Sequence, residues 1–247
     1  MKEIWLFGDS YAQQSRIVFD ATKDNIDYNF VSWPCRLEQK YNLKNFARGG
    51  TGPTWSLNVL HDAVLKEENL KNVTCIFLVS AIWRLDLDFY QDPSDQFLTS
   101  KIPVPDTNMI NFGWNIFDLN NEEKQIIKPY KSQTKFVKDL WKNFLLTDSF
   151  QNTEILKIIG NLKLYSNMFE KILVWPIFHK PIIEIKSEHN FYYVKDLLFE
   201  IEKDPYNFGY DPRPNHLSEP NHEIMFDQLC NWIEKNQSID ISKFKKY

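Results

Sequence analysis

Two short runs of almost unbroken apolar residues constrain the fold of this 247-residue chain more than any other feature. One covers residues 73–80 (Val-Thr-Cys-Ile-Phe-Leu-Val-Ser), and the other covers residues 172–178 (Ile-Leu-Val-Trp-Pro-Ile-Phe). Runs of this kind are typical of strands that are covered on both faces, because neither side of such a strand meets water. Both runs therefore predict central strands of a parallel sheet.

Segments with helical spacing of apolar residues alternate with these runs. They cover residues 56–66, 131–146, 156–169 and 222–235. Two shorter strands are predicted at 4–7 and 43–47, and Ser218 is the expected N-cap of the last helix, with Pro220 in its first turn. Alternating strands and helices indicate an α/β fold with a doubly wound, mostly parallel sheet.

The length and composition predict one folded domain over residues 1–247. Hydrophobic residues make up 43% of the chain and charged residues 25%, so a sizeable core is feasible. The segment at about 86–130 interrupts the alternation with prolines and aromatic residues, as an insertion after a central strand does. Such an insertion forms either a lid or binding wall, or a packed subdomain that only shields the core, and the sequence leaves both open.

Charge and cysteine content narrow the possible partners. A net charge of −4 argues against nucleic-acid binding, which needs a basic surface. No run approaches the roughly 18 apolar residues of a membrane span, and the first apolar stretch is too short for a signal peptide. We therefore expect a soluble protein, cytoplasmic or released without a signal peptide. Cys35, Cys75 and Cys230 are far apart, and we expect buried free thiols rather than disulfides or a metal site.

The first predicted strand ends on Gly8-Asp9-Ser10, and His216 comes just before the last predicted helix. A serine hydroxyl becomes a nucleophile when a histidine within hydrogen-bond reach takes its proton, often with a carboxylate orienting the ring. Loops at the carboxyl ends of parallel strands collect catalytic groups, because a rigid sheet holds them. The pairing of Ser10 with His216 therefore favours a hydrolytic enzyme. The chain lacks the glycine-rich patterns of nucleotide-binding α/β proteins, which are a third and weaker possibility.

The order of these segments resembles the SGNH (GDSL-type) hydrolase family. The first block is Phe-Gly-Asp-Ser-Tyr at 7–11, the second is Asn-Phe-Ala-Arg-Gly-Gly-Thr at 45–51, and the last is Asp-Pro-Arg-Pro-Asn-His-Leu-Ser at 211–218. The resemblance implies a three-layer α/β/α sandwich of the flavodoxin-like sort. It also implies Ser10 as nucleophile, His216 as base, and the N–H groups of Ser10 and Gly50 as oxyanion donors, with Gly49 as the alternative to Gly50.

The chain departs from the family pattern at two places. The third block normally supplies an asparagine as Gly-x-Asn, but residues 79–84 read Val-Ser-Ala-Ile-Trp-Arg. Either two backbone donors suffice, or Ser80 or Arg84 supplies the third. The acid that usually lies three residues before the histidine is replaced by arginine, so Asp211 is the nearest candidate. Without Asp211, the site is a Ser–His dyad.

Other polar residues near the predicted strand ends have a structural and a functional interpretation. Asp9 is expected to cap its turn rather than to do acid–base work, and it is also a candidate substrate-binding residue. Arg48 and Arg84 follow strands, and either binds an acidic substrate group or neutralises an aspartate; the neutralising role is favoured for Arg48 and the site role for Arg84. His222 is expected to be a structural residue at the helix start, with a role as fallback base as the alternative.

The resemblance implies a serine ester hydrolase that needs neither metal nor organic cofactor. Family members act on acetylated sugars, lipids and thioesters, and the aromatic insertion favours a small-molecule or carbohydrate ester, with an O-acetylated sugar as first choice. The alternative is a relative that keeps the fold as a carbohydrate-binding or structural module and has lost catalysis. The departures at the third block and at Asp211 favour that alternative, whereas Ser10, Gly50 and His216 oppose it.

Overall fold

The structure is a computed structural model of the chain. It describes residues 1–9, 11–12, 31–48, 51–82, 86–88, 109–111, 147–201 and 217–245. The predicted helix at 131–146 and most of the insertion at 86–130 lie outside these residues, and the single-domain boundary at 1–247 stays a prediction.

Seven strands lie within the described residues. They are β1 (Glu3–Phe7), β2 (Asn42–Asn45), β3 (Val73–Val79), β4 (Asp86–Asp88), β5 (Met109–Asn111), β6 (Lys171–Pro176) and β7 (Phe191–Tyr193). Five of them form one parallel sheet in the order β2-β1-β3-β6-β7, whereas β4 and β5 pair with each other in an antiparallel ladder. The prediction of central parallel strands at 73–80 and 172–178 is confirmed, since β3 and β6 are fully buried neighbours in this sheet.

Four α-helices lie within the described residues: α1 (Trp33–Lys40), α2 (Pro53–Lys66), α3 (Asp148–Tyr165) and α4 (Glu219–Lys235). The predicted helices at 56–66 and 222–235 correspond to α2 and α4, and Ser218 is the N-cap of α4 as expected. The helix predicted at 156–169 begins earlier, because the Thr147 hydroxyl accepts the Phe150 N–H and starts α3 at Asp148. It also ends earlier, at Tyr165.

The strands carry apolar side chains on both faces, and each face is covered by a pair of helices. In β1, Ile4 and Leu6 face one core, and Trp5 and Phe7 face the other. The first core contains residues of α1 and α4, and the second contains residues of α2 and α3. Since side chains alternate along a strand, one apolar run serves both cores. The fold is therefore the expected three-layer α/β/α sandwich with a parallel central sheet.

The three cysteines are free and buried, as predicted: Cys35 in α1, Cys75 in β3 and Cys230 in α4. In the part of the chain that the structure describes, no helix has the length and apolar character needed to cross a membrane.

The strand order places a crevice at a defined point of the sheet. After β1 the chain moves outward through α1 to β2, and after β2 it returns through α2 to β3 on the other side of β1. From β1 the chain goes through α1 to β2 on one side, whereas from β3 it goes on to reach β6 on the other side through α3. The helices α1 and α3 cover opposite faces of the sheet, since they belong to different cores. Ligands of open α/β proteins bind outside the carboxyl ends of the strands at such a switch point. The carboxyl ends of β1 and β3 are therefore where a site is expected.

Candidate active site at the carboxyl edge

The described parts of the first block (7–9 and 11) and of the second block (45–48 and 51) lie at this carboxyl edge, as does the start of α4. Of the predicted site residues, Asp9 and Ser80 fall within the described residues, and so do Arg48 and His222. The others lie outside the described residues: Ser10, Gly49, Gly50, Arg84, Asp211 and His216. The described neighbours of these residues define the frame of the site.

Gly8 ends β1 in a conformation that side chains rarely adopt. Its φ is +152°, and a Cβ atom built there would lie 3.0 Å from Leu78 Cβ and 3.1 Å from Ala12 Cβ. Only glycine allows the chain to turn this closely against β3 without strain. The glycine of the Gly-Asp-Ser motif is therefore required by the backbone, whatever chemistry the motif performs.

Asp9 holds the turn that follows Gly8. Its side chain is fully buried, and Oδ1 accepts a hydrogen bond of 3.1 Å from the Tyr11 N–H. Its carbonyl oxygen accepts another of 3.0 Å from the Ala12 N–H. A carboxylate that accepts the N–H two residues ahead forms an Asx-turn. The expectation that Asp9 caps the turn is confirmed, and this turn fixes the backbone on both sides of position 10.

Gly8 also joins the first block to the second. Its carbonyl oxygen accepts the backbone N–H of Arg48 at 3.1 Å and the hydroxyl of Ser56 at 3.4 Å. Arg48 follows β2, and Ser56 lies fully buried in the first turns of α2. One carbonyl just after β1 thus holds both the middle of the second block, through Arg48, and the helix that follows the block, through Ser56.

Asn45 makes a second link between these blocks. Its Nδ2 donates to the Ala12 carbonyl at 2.9 Å, and its Oδ1 accepts the Ala47 N–H at 2.8 Å. The side chain therefore bridges the end of β2 and the turn after β1. Both ends of its amide are used, so the two loops are fixed in one relative position.

Ser80 connects β3 to the loop of the second block. It is 1% exposed, and its hydroxyl donates to the Thr51 carbonyl at 3.2 Å. The Thr51 hydroxyl in turn donates to the Arg48 carbonyl at 2.8 Å. In this arrangement the Ser80 hydroxyl proton is directed at the protein backbone, and Ser80 acts as a tie between strand and loop.

Trp33, the first residue of α1, connects the first block to the start of α4. Its indole Nε1 donates to the Tyr11 carbonyl at 3.0 Å, and its backbone N–H donates to Nδ1 of His222 at 3.4 Å. Trp33 is fully buried and His222 nearly so. Because Nδ1 accepts, a neutral His222 carries its proton on Nε2. The structural role expected for His222 is thus supported, and α4 is docked four residues after its N-cap.

The segment after β6 completes this edge. The ring of Phe178 meets that of Tyr11 edge-on, with centroids 6.2 Å apart. His179 follows and is partly buried. Burial lowers the pKa of His179, and the nearby Asp148 carboxylate offsets part of that effect. His179 is accordingly a largely neutral imidazole at this edge near pH 7.

The described residues show no neutralisation of Asp9 by Arg48, and the side chain of Asp86, the other aspartate considered, lies outside them. No ion pair among the described residues joins Arg48 to Asp9 or to any other carboxylate; its guanidinium lies over the Trp55 ring, 5.9 Å from the ring centroid. The Asp9 carboxylate accepts the Tyr11 N–H instead.

Three positioning residues were not predicted from the sequence: Trp33, Asn45 and Ser56. Each acts on a backbone carbonyl far away in the sequence, with separations of 22, 33 and 48 residues. The position of Asn45 at the end of the second strand could have indicated a role in the site. Its partner, the Ala12 carbonyl, could not be foreseen, because the contact depends on which strands are neighbours in the sheet. Trp33 begins a helix of only eight residues, which offers too few apolar positions for its periodicity to be recognised from the sequence.

These ties produce a rigid frame in which the chain on either side of positions 10 and 49–50 is fixed. Within the described ranges, no group of three or more His, Cys, Asp or Glu side chains is placed to hold a metal ion. A scan against protein-family models found no match, and neither did a search of the curated proteins.

Proposed function

We propose that this protein is a serine ester hydrolase of the SGNH type, working at the carboxyl edge of its sheet. The observation that carries the proposal is the shared Gly8 carbonyl, which accepts from both Arg48 and Ser56. It holds the block that contains Ser10 beside the block that contains Gly50. Trp33 supplies the third link, since it ties Tyr11 to the helix that follows His216.

In the proposed reaction, His216 removes the hydroxyl proton of Ser10 as its oxygen attacks the ester carbonyl carbon. The negative charge that forms on the carbonyl oxygen is stabilised by the N–H groups of Ser10 and Gly50. The protonated His216 then gives its proton to the leaving alcohol, and an acyl-serine remains. Water, deprotonated by His216, attacks the acyl carbon. The bond from that carbon to the Ser10 oxygen then breaks, the carboxylic acid leaves, and His216 returns its proton to Ser10. Asp211 orients the histidine; without it, the pair acts as a dyad.

The third oxyanion donor is the weak point of this site. The Ser80 hydroxyl is used on the Thr51 carbonyl, so we assign Ser80 a positioning role and leave two backbone donors, with Arg84 as the remaining side-chain candidate. Removal of one oxyanion donor lowers rates by about 10²–10³ in other serine hydrolases. We therefore expect a slow enzyme on unactivated esters.

The proposed substrate is a small-molecule or carbohydrate ester, with an acetylated sugar as first choice. The aromatic residues of the 86–130 insertion support it, because aromatic rings stack on the apolar faces of sugars. The net charge of −4 supports a small ester over a nucleic-acid partner. The proposed chemistry needs no cofactor.

A second candidate is a binding module that keeps this fold and has lost catalysis. The observation that favours it is the use of the Ser80 hydroxyl as a backbone tie, in a third block that already lacks the asparagine. Such a module binds an acylated carbohydrate without turnover. The two candidates differ in whether Ser10 is an activated nucleophile.

Hydrolysis of p-nitrophenyl acetate by the wild type and by Ser10→Ala and His216→Ala tests the proposal. Both variants are expected to lose at least about 10³-fold in kcat/KM, because a serine nucleophile and its base act as a unit. Initial rates of p-nitrophenolate release give the measurement.

Two exposed residues provide matched controls. Ser149→Ala, near the start of α3, and His189→Ala, just before β7, remove the same side chains from exposed positions. Both are expected to keep wild-type rates. A wild-type rate no higher than that of Ser10→Ala would reject the hydrolase and favour the binding module.

A further inference from the structure

Arg48 occupies a fixed position between the two blocks of the proposed site. Its backbone N–H donates to the Gly8 carbonyl at 3.1 Å, and its own carbonyl accepts the Thr51 hydroxyl at 2.8 Å. Backbones joined in this way lie about 5 Å apart. The side chain of Arg48 therefore starts beside Gly8, within the length of one sugar ring from the end of β1.

The guanidinium of Arg48 is supported by an aromatic ring and has no carboxylate partner among the described residues. It lies over Trp55, with its central carbon 5.9 Å from the ring centroid. Arg36, the other described arginine, pairs with Glu223 at 3.5 Å. Arginine stacked on a ring keeps its planar edge of N–H donors available. Arg48 is only partly buried, so a ligand has access to it.

The helix end beside Arg48 carries no acidic residue that would compensate the charge of the guanidinium. Trp55 belongs to the first turn of α2, and that turn contains no acidic residue. The positive end of the helix dipole adds to the charge of Arg48 in the same direction. Asp9, the aspartate of the first block, is buried, and its carboxylate accepts the Tyr11 N–H.

We infer that Arg48 selects substrates that carry a carboxylate close to the scissile ester. The inference rests on the proposed hydrolase and names its substrate class: an O-acyl ester of an acid-bearing alcohol, such as an acylated uronic acid. A carboxylate matches the planar fork of arginine with two parallel hydrogen bonds. Arg48 is thus a specificity-determining residue that binds the part of the substrate that does not react.

The test compares two ligands of the same shape, 3-hydroxybenzoate and 3-hydroxybenzamide, by NMR titration at low ionic strength. The wild type is expected to bind the carboxylate about 10- to 100-fold more tightly than the amide, as a charge-assisted hydrogen bond predicts. Arg48→Gln is expected to reduce this ratio to about one. Trp55→Leu is expected to lower it in part, because the arginine loses its supporting ring.

Lys66→Gln is the matched control, since it removes one positive charge at the exposed, opposite end of α2. It is expected to keep the wild-type ratio, so a fall in this variant would assign the selectivity to net charge and overturn the inference. Equal binding of the two ligands by the wild type, or no binding of either, would overturn it as well.

The same pair as acetyl esters, 3-acetoxybenzoate and 3-acetoxybenzamide, separates the inference from the proposed function. Carboxylate-selective binding without hydrolysis of either ester supports the anion site and rejects the hydrolase. Hydrolysis of both esters with equal kcat/KM, together with equal binding, supports the hydrolase and rejects the role of Arg48. Faster hydrolysis of the carboxylate ester that is lost in Arg48→Gln supports both.

Discussion

Two edges of the central sheet are formed by the amino ends and by the carboxyl ends of its strands. Polar residues have different roles at these two edges. At the amino edge, charged side chains neutralise one another across elements: Lys44 lies 3.0 Å from Glu3 and 2.8 Å from Glu67, and Lys40 lies 2.7 Å from Glu234. At the carboxyl edge, the ties are buried and mostly uncharged. They run from side chains to backbone carbonyls, as in the hydrogen bond from Ser80 to Thr51.

Lys171, at the start of β6, connects the amino edge of the sheet to the end of α4. Its ammonium donates to the carbonyls of Trp232 and Ile233, each at 2.9 Å, and to Oδ1 of Asn236 at 2.6 Å. These groups form the end of α4, where carbonyls lack partners within the helix. The cation therefore closes a helix onto the sheet, and all of its donors serve the fold.

At the carboxyl edge, polar side chains hold the backbone of the loops in place, and one charged group, the Arg48 guanidinium, takes no part in an ion pair among the described residues. Gly8, Asn45 and Trp33 set the loops in place, while the guanidinium of Arg48 has no carboxylate among the described residues. The contrast is that charges paired within the fold lie at the amino edge, whereas fixed loops and a cation with no carboxylate partner among the described residues lie at the edge where we propose the site.

The largest effect is expected from Gly8→Ala. The new Cβ would meet Leu78 and Ala12 at 3.0 and 3.1 Å in a backbone conformation that alanine rarely adopts. We expect a loss of about 2–4 kcal/mol in the free energy of unfolding, from strain and close contact together. Chemical denaturation monitored by circular dichroism gives the value.

Gly160→Ala is the control for this substitution. Gly160 lies in α3 with no atom within 4 Å of an added Cβ, so alanine is expected to stabilise the helix by about 0.5–1 kcal/mol. If both variants lose the same stability, the close approach at the carboxyl edge is not what requires glycine at position 8.

The next largest effect is expected at the amino edge, where Lys171 should make the free energy of unfolding depend on pH. Burial, with Lys2 adding to it, lowers the pKa of Lys171 from 10.5 to about 8. Between these values the unfolded chain holds a proton that the folded chain has released, so stability rises with pH. We expect the free energy of unfolding to increase by on the order of 1–3 kcal/mol from pH 8 to pH 10.5, relative to Lys171→Met.

Below about pH 8 the lysine is charged in both states, and the two proteins are expected to show parallel pH profiles. Denaturation midpoints at half-unit pH steps provide the comparison. Profiles that stay parallel up to pH 10.5 would show that Lys171 has an ordinary pKa, and the amino edge would then be less buried than described. Esterase activity of the folded variant is expected to equal that of the wild type.

The smallest effect is expected from Ser80→Ala. It removes one buried hydrogen bond to Thr51, for a loss of about 1 kcal/mol. Because the loop of the second block loses its hydrogen bond to the end of β3, the rate of ester hydrolysis is expected to fall several-fold. The decrease is expected in kcat rather than in KM. The exposed control Ser149→Ala should change neither quantity. A Ser80→Ala variant that keeps full activity would contradict the positioning role of this side chain.

The sheet was predictable wherever burial left a continuous apolar run, as in β1, β3 and β6. The strand β7 was not predicted, because it has three residues beside polar His189 and Asn190. The helix α1 was not predicted either, since only eight residues form it. The first turns of α3 were not predicted, because they contain polar residues, among them the N-cap Thr147 and the buried Gln151, and so lack a clear apolar spacing.

In the candidate site, only contacts between residues that are close in the sequence could be predicted. The turn cap at Asp9 follows from residues two and three apart, and it is confirmed. The links made by Trp33 and Asn45 depend on which strands become neighbours, and no local pattern encodes that. The placement of Arg48 over Trp55 depends likewise on how α2 leaves the loop. Catalysis by Ser10 and His216 stays a prediction.

The most direct test of the functional edge is labelling with a fluorophosphonate probe, followed by mapping of the modified peptide by mass spectrometry. Only a serine activated by a base reacts readily with such a probe. We predict stoichiometric label on Ser10, equal labelling of Lys171→Met, and none in His216→Ala. Absence of label in the folded wild type, or label on a serine other than Ser10, would contradict the assignment of the carboxyl edge as a hydrolase site.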